Sequence, residues 1–385
     1  MGSAHALLSP SAAHRWINCT AAPRLEADVP DKGSEFAAEG TLAHAYCALK
    51  LKEFLGLATE GEAKEIAELN DRYHTGEMDE YTDVYKTIVL EKFTEARALT
   101  KDAQLLVETR LDFSDHIPDA FGTADAIIIA DGTMEVIDFK YGKGVKVSAV
   151  DNPQMKIYAL GAYEKFSFEY KIERVRMTII QPRIDNLSDS EMNVADLLAW
   201  TDEILTPKAR QAYKGDGPQV PGGWCQFCKV KSACRALATL CTEVVQMSSD
   251  PKLLSPEELA TNVLPLLPTV KTWLSSVEDY ALQQALSGVS LPGWKVVEGR
   301  SIRKITDQTA VANALTAEGY TLEDVCKPME LRTITDLEKL VGKKQFAGLC
   351  GDFVEKPQGK PTLVPENDKR PAFSPLVDDF KDINL

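Results

Sequence analysis

Two apolar runs separated by a turn signal form the clearest hydrophobic pattern in this chain. The segment FGTADAIIIADGTMEVIDF begins at Phe121, and Asp131-Gly132 divides it into two apolar halves. An Asp-Gly pair between apolar runs favours a two-residue type I′ turn, so the pattern predicts a β-hairpin. Counting outward from that turn pairs Asp125 with Asp138 across the two strands.

The pattern on either side of the hairpin predicts further strands and helices. Alternating apolar and polar positions over residues 104–113 and 174–183 predict two more strands. A helix is predicted to begin at Asn152-Pro153, because Asn caps helices and Pro is tolerated in the first turn. Other helices are predicted over residues 9–25, 40–57, 62–100 and 191–213. This order indicates an α/β fold, with a central mixed β-sheet flanked by helices.

The chain has 385 residues, which is enough for about two or three domains. We predict an α/β domain over residues 1–245, a helical connector over 246–290, and a smaller α+β C-terminal region over 291–385. Within the connector, Ser255 and Glu258 form a capping box that marks the start of a helix. The last region is expected to end in an extended tail that is rich in Pro and Lys.

Charge and composition narrow the functional classes. A formal net charge of -15 argues against non-specific binding to nucleic acid, unless basic residues cluster as Lys140, Lys143 and Lys146 do beside the hairpin. No apolar run approaches the ~20 residues that span a bilayer, and the N-terminus lacks the pattern of a secretory signal. We therefore expect a cytoplasmic protein without membrane contact, whose eight cysteines do not form disulfides.

Asp125, Asp138 and Lys140 are the strongest candidates for chemistry. Paired strands place opposed Cβ atoms roughly 4.5–5.5 Å apart, and Lys140 shares the face of Asp138 because side chains alternate. Two carboxylates at that distance repel each other unless a cation lies between them, and with a nearby amine they suit a hard divalent ion and attack on a phosphodiester. The alternative is an ordinary hairpin with surface charges. Apolar residues on both faces of these strands argue against it, because burying such charges is costly.

Two weaker candidates lie on predicted helices. Gln154 and Tyr158 are four residues apart, so they share one face of the helix that follows the hairpin. His44 lies in the first turn of the predicted helix that Thr41 caps. From the residues alone, a half-buried core tyrosine and a core or capping histidine remain open as structural alternatives.

A cysteine group lies near the end of the predicted α/β domain. Cys225, Cys228 and Cys234 fall within ten residues, and in a reducing compartment this spacing is typical of metal ligands. A closed site needs a fourth thiolate, for which Cys241 and the distant Cys19 are candidates. Zinc and an iron–sulfur cluster both remain open, because spacing alone does not separate them. Unligated core cysteines are the structural alternative.

These motifs together resemble the PD-(D/E)XK nuclease superfamily in its RecB-like branch. The resemblance rests on GTAD from Gly122, IDFK ending at Lys140, and Gln154-x3-Tyr158, and His44 matches an upstream helical histidine of that branch. A subset that includes CRISPR-adaptation nucleases has one N-terminal and three C-terminal cysteines that bind a [4Fe-4S] cluster. The segments SPSAAHRWINC and GKPTLVPENDKRPAF also resemble a phage-encoded family of RecB-like nucleases.

The resemblance implies the nuclease core fold and metal-dependent hydrolysis of DNA, often exonucleolytic. Asp125 and Asp138 would hold Mg²⁺ or Mn²⁺, and Lys140 would position the attacking water. The other implied roles are a ligand carbonyl at Phe139, a further ligand at His44, orientation of Lys140 or a phosphate by Gln154, packing by Tyr158, and an outer-shell role for Glu108. The implied cluster ligands are Cys19, Cys225, Cys228 and Cys234, with iron–sulfur favoured over zinc.

DNA is the implied substrate, and a single-strand annealing or binding protein is the implied partner in phage recombination. Two other functions compete with this interpretation. One is a DNA-binding module that keeps the nuclease fold without the reaction, which the intact Asp125, Asp138 and Lys140 set argues against. The other is a metal-dependent phosphohydrolase that acts on small nucleotides and leaves DNA uncut.

Overall fold

The computed structural model describes residues 6–30, 35–247, 251–299, 303–327, 330–331, 334–355, 361–365 and 371–372. The chain divides into two compact units, Met1–Trp273 and Leu274–Leu385. The first unit is an α/β fold built on a mixed sheet with helices on both faces, and the second contains short strands and helices. The predicted fold class is therefore confirmed.

Within the described residues, five strands form the central sheet in sequence order. They are β1 (Gln104–Asp112), β2 (Phe121–Ala130), β3 (Gly132–Phe139), β4 (Ile172–Gln181) and β5 (Asn186–Asn193). β3 and β4 are parallel, and the other neighbours are antiparallel. A parallel pair needs a crossover connection, which the helix predicted at Asn152-Pro153 supplies.

The described part of the first unit contains eleven α-helices, several of which cover the two faces of this sheet. They are α1 (Ala13–Asn18), α2 (Ala22–Glu26), α3 (Glu35–Leu55), α4 (Glu60–Tyr73), α5 (Gly76–Leu99), α6 (Pro153–Phe166), α7 (Val194–Trp200), α8 (Thr206–Lys214), α9 (Arg235–Met247), α10 (Pro256–Glu258) and α11 (Leu267–Leu286), which extends into the second unit. Ile127 packs in the core on the side of α6, whereas its neighbour Ile128 packs in the core on the side of α3 and α5. Because successive strand residues point to opposite faces, both faces of β2 are buried.

The hairpin has the predicted register but a different turn. Ala130 pairs with Thr133, and pairing continues to Ala126 and Ile137, one position short of the two acids. Gly132 has a φ of 76°, but Asp131 is not among the described non-glycine residues with positive φ, so the type I′ prediction is wrong. The amide of Asp131 donates to the Thr100 hydroxyl at 3.0 Å, a contact from outside the hairpin that the local turn signal does not include.

The structure also corrects several helix predictions. α3 begins at Glu35, so Thr41 is not a cap and His44 does not lie in the first turn. Instead, the Thr41 hydroxyl donates to the carbonyl of Ala37 at 2.9 Å. The predicted helices over 9–25 and 62–100 are each interrupted, the second at Thr75, which caps α5. The helix over 191–213 begins later than predicted, because β5 continues to Asn193.

The other start signals agree with the structure. The Asn152 side chain accepts from the amides of Gln154 and Met155 at the start of α6, as predicted. Ser255 and Glu258 form the predicted capping box. Both signals are local, because each involves residues at most three positions apart.

The second unit has its own small core. Its elements are β6 (Trp294–Glu298), β7 (Lys304–Ile305), α12 (Gln308–Ala317), α13 (Leu322–Val325), β8 (Cys326–Lys327), β9 (Glu330–Leu331), α14 (Ile334–Val341), α15 (Lys343–Cys350), β10 (Val354–Glu355) and β11 (Pro361–Pro365). Val311, Leu337 and Phe346 are buried together. β11 pairs with β6 and is the part of the predicted tail that forms a strand; residues 356–360, 366–370 and 373 of that tail lie outside the described residues.

In the part of the chain that the structure describes, no helix has the length and apolar character that crossing a bilayer requires.

Candidate active site

Asp125 is held at the start of the hairpin by contacts from two directions. Its Oδ1 lies 3.1 Å from Nδ1 of His44 on α3, and its Oδ2 accepts the backbone amide of Phe139 at 2.7 Å. Burial alone would lower the pKa of His44, but the carboxylate of Asp125 outweighs burial and raises that pKa from 6.5 to about 9. The raised pKa favours the protonated form of His44, whose counter-ion is Asp125, whereas the predicted role as a metal ligand would need the neutral imidazole.

Asp138 lies at the end of β3 and is only 5 % exposed. The Gln154 amide donates to Oδ1 of Asp138 at 2.9 Å, and Gln154 Oε1 accepts from the Lys140 ammonium at 3.2 Å. Lys140 Nζ lies 3.0 Å from Oδ2 and 3.4 Å from Oδ1 of Asp138. The Oδ2 contact lacks hydrogen-bond geometry, so among the described residues Oδ2 is a buried oxygen without a hydrogen-bond donor.

The pKa values of the two carboxyl groups are shifted in opposite directions. Burial raises the pKa of Asp138, and the charge of Asp125 adds to this effect while Lys140 offsets part of it. For Asp125, burial also acts to raise the pKa, but His44 and the amide of Phe139 outweigh it and lower the pKa below its usual value. Lys140 keeps its charge, because Asp138 outweighs the effect of burial and raises the lysine pKa. Paired carboxyls whose pKa values are moved apart are typical of functional sites.

Glu108 lies beside Asp125 at an irregular point of β1. The β1–β2 pairing runs from Gln104 to Val107 and resumes at Thr109, so Glu108 and Asp125 face each other without regular pairing. Glu108 has a φ of 50°, a strained value for a residue with a Cβ. Burial, and then the charge of Asp125, raise its pKa to about 7. A cavity of about 330 Å³ separates Glu108 and His44 from α4 and is lined also by Lys52 and Glu62.

Tyr158 supports the site from α6. A Cβ built on Gly122, the glycine of the GTAD motif, would approach the Tyr158 ring to 2.9 Å, so glycine allows the ring to pack against β2. Burial raises the pKa of Tyr158, and its hydroxyl interacts with the side chain of Gln154. The structure therefore brings together all of the predicted catalytic side chains, with Tyr158 contacting Gln154.

The cysteine predictions concern a second place in the first unit. Cys19, Cys225, Cys228 and Cys234 line one small pocket of about 20 Å³, and Cys241 is not part of its lining. Cys241 lies next to this pocket, in an apolar cluster with Leu237 and Val244 that also contains Cys225. Burial raises the pKa of Cys228 to about 12, and the eight cysteines, all of which lie in described segments, are free thiols.

Glu26 holds this cysteine loop to the N-terminal helices, a contact that sequence reasoning missed. Its carboxylate pairs with Arg15 at 2.9 Å and accepts the backbone amide of Lys229, next to Cys228, at 2.7 Å. Glu26 is only 8 % exposed although it lies on a short surface helix. No local pattern signals this role, because the carboxylate and the amide are 203 residues apart.

Metal binding at these two places depends on how their carboxylates and thiols are arranged. Among the described residues, no group of three or more His, Cys, Asp or Glu side chains is arranged as a metal-binding group. The residue types nevertheless suit the predicted metals. The Asp138 carboxylate has one buried oxygen that accepts no hydrogen bond. Thiols are the ligands that zinc and iron–sulfur clusters use. The metal and cluster assignments, including the carbonyl of Phe139, stay predictions.

Comparisons with known proteins show the family to which the chain belongs. The crystal structure of a protein named SSO0001 is 14% identical, covers 58% of this chain and 96% of its own chain, and has a TM-score of 0.24. A likeness at that TM-score carries no argument about fold or function. A family model described as "Protein of unknown function (DUF2800)" matches residues 5–371. Because this match extends over most of the chain, the protein belongs to the DUF2800 family.

Proposed function

We propose that this protein is a divalent-cation-dependent nuclease of the PD-(D/E)XK superfamily, in its RecB-like branch, that hydrolyses phosphodiester bonds in DNA. The observation that carries the proposal is the contact set around Asp138, in which Lys140 and Gln154 contact the same buried carboxylate and each other. Asp125 lies at the same end of the hairpin with its own partner, His44. Burying this many charges in an ordinary hairpin would be costly, which favours a catalytic role.

Each of these side chains has a separate role in the proposed hydrolysis. Asp125 and Asp138 would hold Mg²⁺ or Mn²⁺, which when bound polarises a phosphate and lowers the pKa of a water. Lys140 positions the attacking water and offsets the negative charge that grows on the phosphate. Gln154 fixes Lys140, since its amide bridges the ammonium and Asp138.

Two further residues hold the carboxylate of Asp125 in place. His44 and the amide of Phe139 bind the two oxygens of Asp125, which orients its carboxylate and keeps it ionised. This support suits a site that must keep its geometry through each turnover.

We further propose that the cysteine pocket holds a [4Fe-4S] cluster, with zinc as the alternative. Supporting this, the one N-terminal and three C-terminal cysteines line a single pocket that excludes Cys241. Such a cluster would tie the first helices to the end of the nuclease domain, alongside the contacts of Glu26. We place the protein and its DNA substrate in the cytoplasm, with a single-strand annealing or binding protein as partner.

Purification without oxygen tests the cluster. We expect brown protein with visible absorbance and stoichiometric iron and sulfide, and Cys19→Ala should lose the colour because each ligand thiolate holds one iron. Cys241→Ala is the matched control, since this thiol is buried outside the pocket, and it should keep both colour and iron. Colourless protein with stoichiometric zinc would assign the pocket to zinc, and loss of colour in Cys241→Ala alone would refute the ligand assignment.

Digestion of end-labelled linear DNA and closed circular DNA, side by side in Mg²⁺ and in Mn²⁺, tests the proposed reaction. We expect the linear DNA to be degraded and the circle to persist, because exonucleases of this branch need an end. Cleavage of the circle would change the proposal to an endonuclease. An absence of hydrolysis with either ion would favour the inactive DNA-binding module, and cleavage of small nucleotides with intact DNA would favour the phosphohydrolase.

A further inference from the structure

A groove of about 530 Å³ extends from the proposed catalytic centre to the cysteine loop. Lys140 and Gln154 line one part of it, and Trp224 and Phe227, which flank Cys225, line another. The loop after β3 contributes Lys146 to the wall. One continuous groove therefore joins the reacting groups to two aromatic side chains that the proposed reaction does not use.

The loop that carries Lys146 is held rigidly to the sheet. The side-chain amide of Gln181 donates to the carbonyl of Val145 at 2.8 Å, and its oxygen accepts the amide of Val147 at 3.1 Å. Asn186 donates to the carbonyl of Val147 at 2.8 Å. Gln181 is 1 % exposed and Asn186 is 5 % exposed, so buried amide side chains fix an exposed loop. A wall fixed in this way does not have to become ordered when a ligand binds.

The aromatic end of the groove has one exposed ring, Phe227, beside the half-buried Trp224. Phe227 lines the groove and is 65 % exposed. The Trp224 indole donates to the carbonyl of Val220 at 2.7 Å, which fixes its ring, and His14 approaches that ring edge-on at 6.0 Å between centroids. The side chain of Phe227 is therefore accessible to a ligand that enters the groove.

The charge of the groove suits a phosphate backbone. Lys146 is exposed and has no ion pair among the described residues, while Asp151, the acidic residue of the lining, is paired with Lys156 at 3.0 Å. Arg15 also lines the groove, although its charge is shared with Glu26. This local excess of positive charge contrasts with the net charge of -15 of the whole chain.

We propose that this groove binds single-stranded DNA, whose unpaired bases stack on Phe227 and Trp224 while its backbone passes Lys146 and reaches Lys140. Stacking on aromatic rings needs exposed base faces, which a single strand offers and a duplex hides along its length. The inference rests on the proposed nuclease function where it treats Lys140 as part of a catalytic centre, but it concerns only the binding of DNA.

Binding of a labelled oligothymidylate and of a duplex, measured by fluorescence anisotropy in EDTA, tests the inference without any cleavage. Phe227→Ala should weaken binding of the single strand by roughly tenfold, since each stacked base contributes that much, and leave duplex binding unchanged. Phe227→Trp should restore the affinity. Phe168→Ala is the matched control, because Phe168 is 97 % exposed and does not line the groove, and it should have no effect.

Three outcomes would overturn the inference: unchanged affinity in Phe227→Ala, equal weakening in Phe168→Ala, or equal weakening toward duplex. Because Phe227 is exposed, its replacement should leave the melting temperature unchanged, which separates a binding defect from unfolding. If the nuclease proposal fails instead, hydrolysis should be absent in Mg²⁺ and in Mn²⁺ while binding of the single strand stays intact.

Discussion

Asp138→Asn is expected to lower the rate of DNA hydrolysis by roughly 10³-fold or more, because a carboxylate that holds the catalytic cation contributes several kcal/mol to the transition state. Asn has nearly the same shape and keeps one oxygen for the Gln154 amide, which now donates to Oδ1 at 2.9 Å. It does not keep the negative charge that would attract a cation. The fold should therefore survive while the reaction is lost.

Initial rates on end-labelled linear DNA, together with thermal melting of both proteins, measure this effect. Asp131→Asn is the matched control, because Asp131 is exposed in the turn of the same hairpin and Asn keeps the backbone amide that donates to Thr100. We expect wild-type rates from the control. If Asp138→Asn cleaves DNA as fast as wild type, or if Asp131→Asn is equally impaired, the carboxyl pair is not the catalytic centre.

Lys140→Met should lower the maximal rate by roughly 10²–10³-fold, which is the typical effect of removing one group that stabilises charge in the transition state. Met approximates the length of the side chain but lacks the ammonium that contacts Asp138 and Gln154. Because Lys140 lowers the pKa of Asp138, its loss also favours protonation of that carboxyl. A rate deficit caused only by weaker cation binding would disappear in excess Mg²⁺, whereas the loss of a catalytic ammonium would not.

Steady-state kinetics over a range of Mg²⁺ concentrations separate these effects. We expect kcat to fall with KM little changed, since Lys140 acts mainly on the reacting phosphate. Lys143→Met is the matched control, because Lys143 is exposed in the adjoining loop and does not line the groove. Full recovery of Lys140→Met at high Mg²⁺ would reduce Lys140 to a residue that tunes Asp138.

Several local signals in the sequence agree with the structure, although the predicted turn type at Asp131-Gly132 and the predicted Thr41 cap were wrong. The Asn152 cap, the Ser255 capping box and the pairing of Ala130 with Thr133 all agree with the structure. Each depends on a few neighbouring residues, so contacts with distant parts of the chain have little effect on it.

Signals failed where distant contacts decide the local structure. β5 has the polar sequence NLSDSEMN, which no apolar alternation marks, yet it pairs with β4 at the edge of the sheet. Edge strands with one exposed face tolerate polar residues, so hydropathy does not identify them. The strained backbone of Glu108 has no marker in its residue type, but it separates Leu105 and Leu111, which are six positions apart and lie in the cores on opposite faces of the sheet.

By itself, the sequence determined that a hairpin brings Asp125, Asp138 and Lys140 to one end of a mixed sheet, because strand periodicity and turn position set which residues meet. Only the tertiary structure decided that His44 contacts Asp125, that Cys19 rather than Cys241 lines the pocket of the other three cysteines, and that Glu26 ties the two chain regions together. Those contacts join residues that are 81 or more positions apart, and packing of whole helices against the sheet sets them.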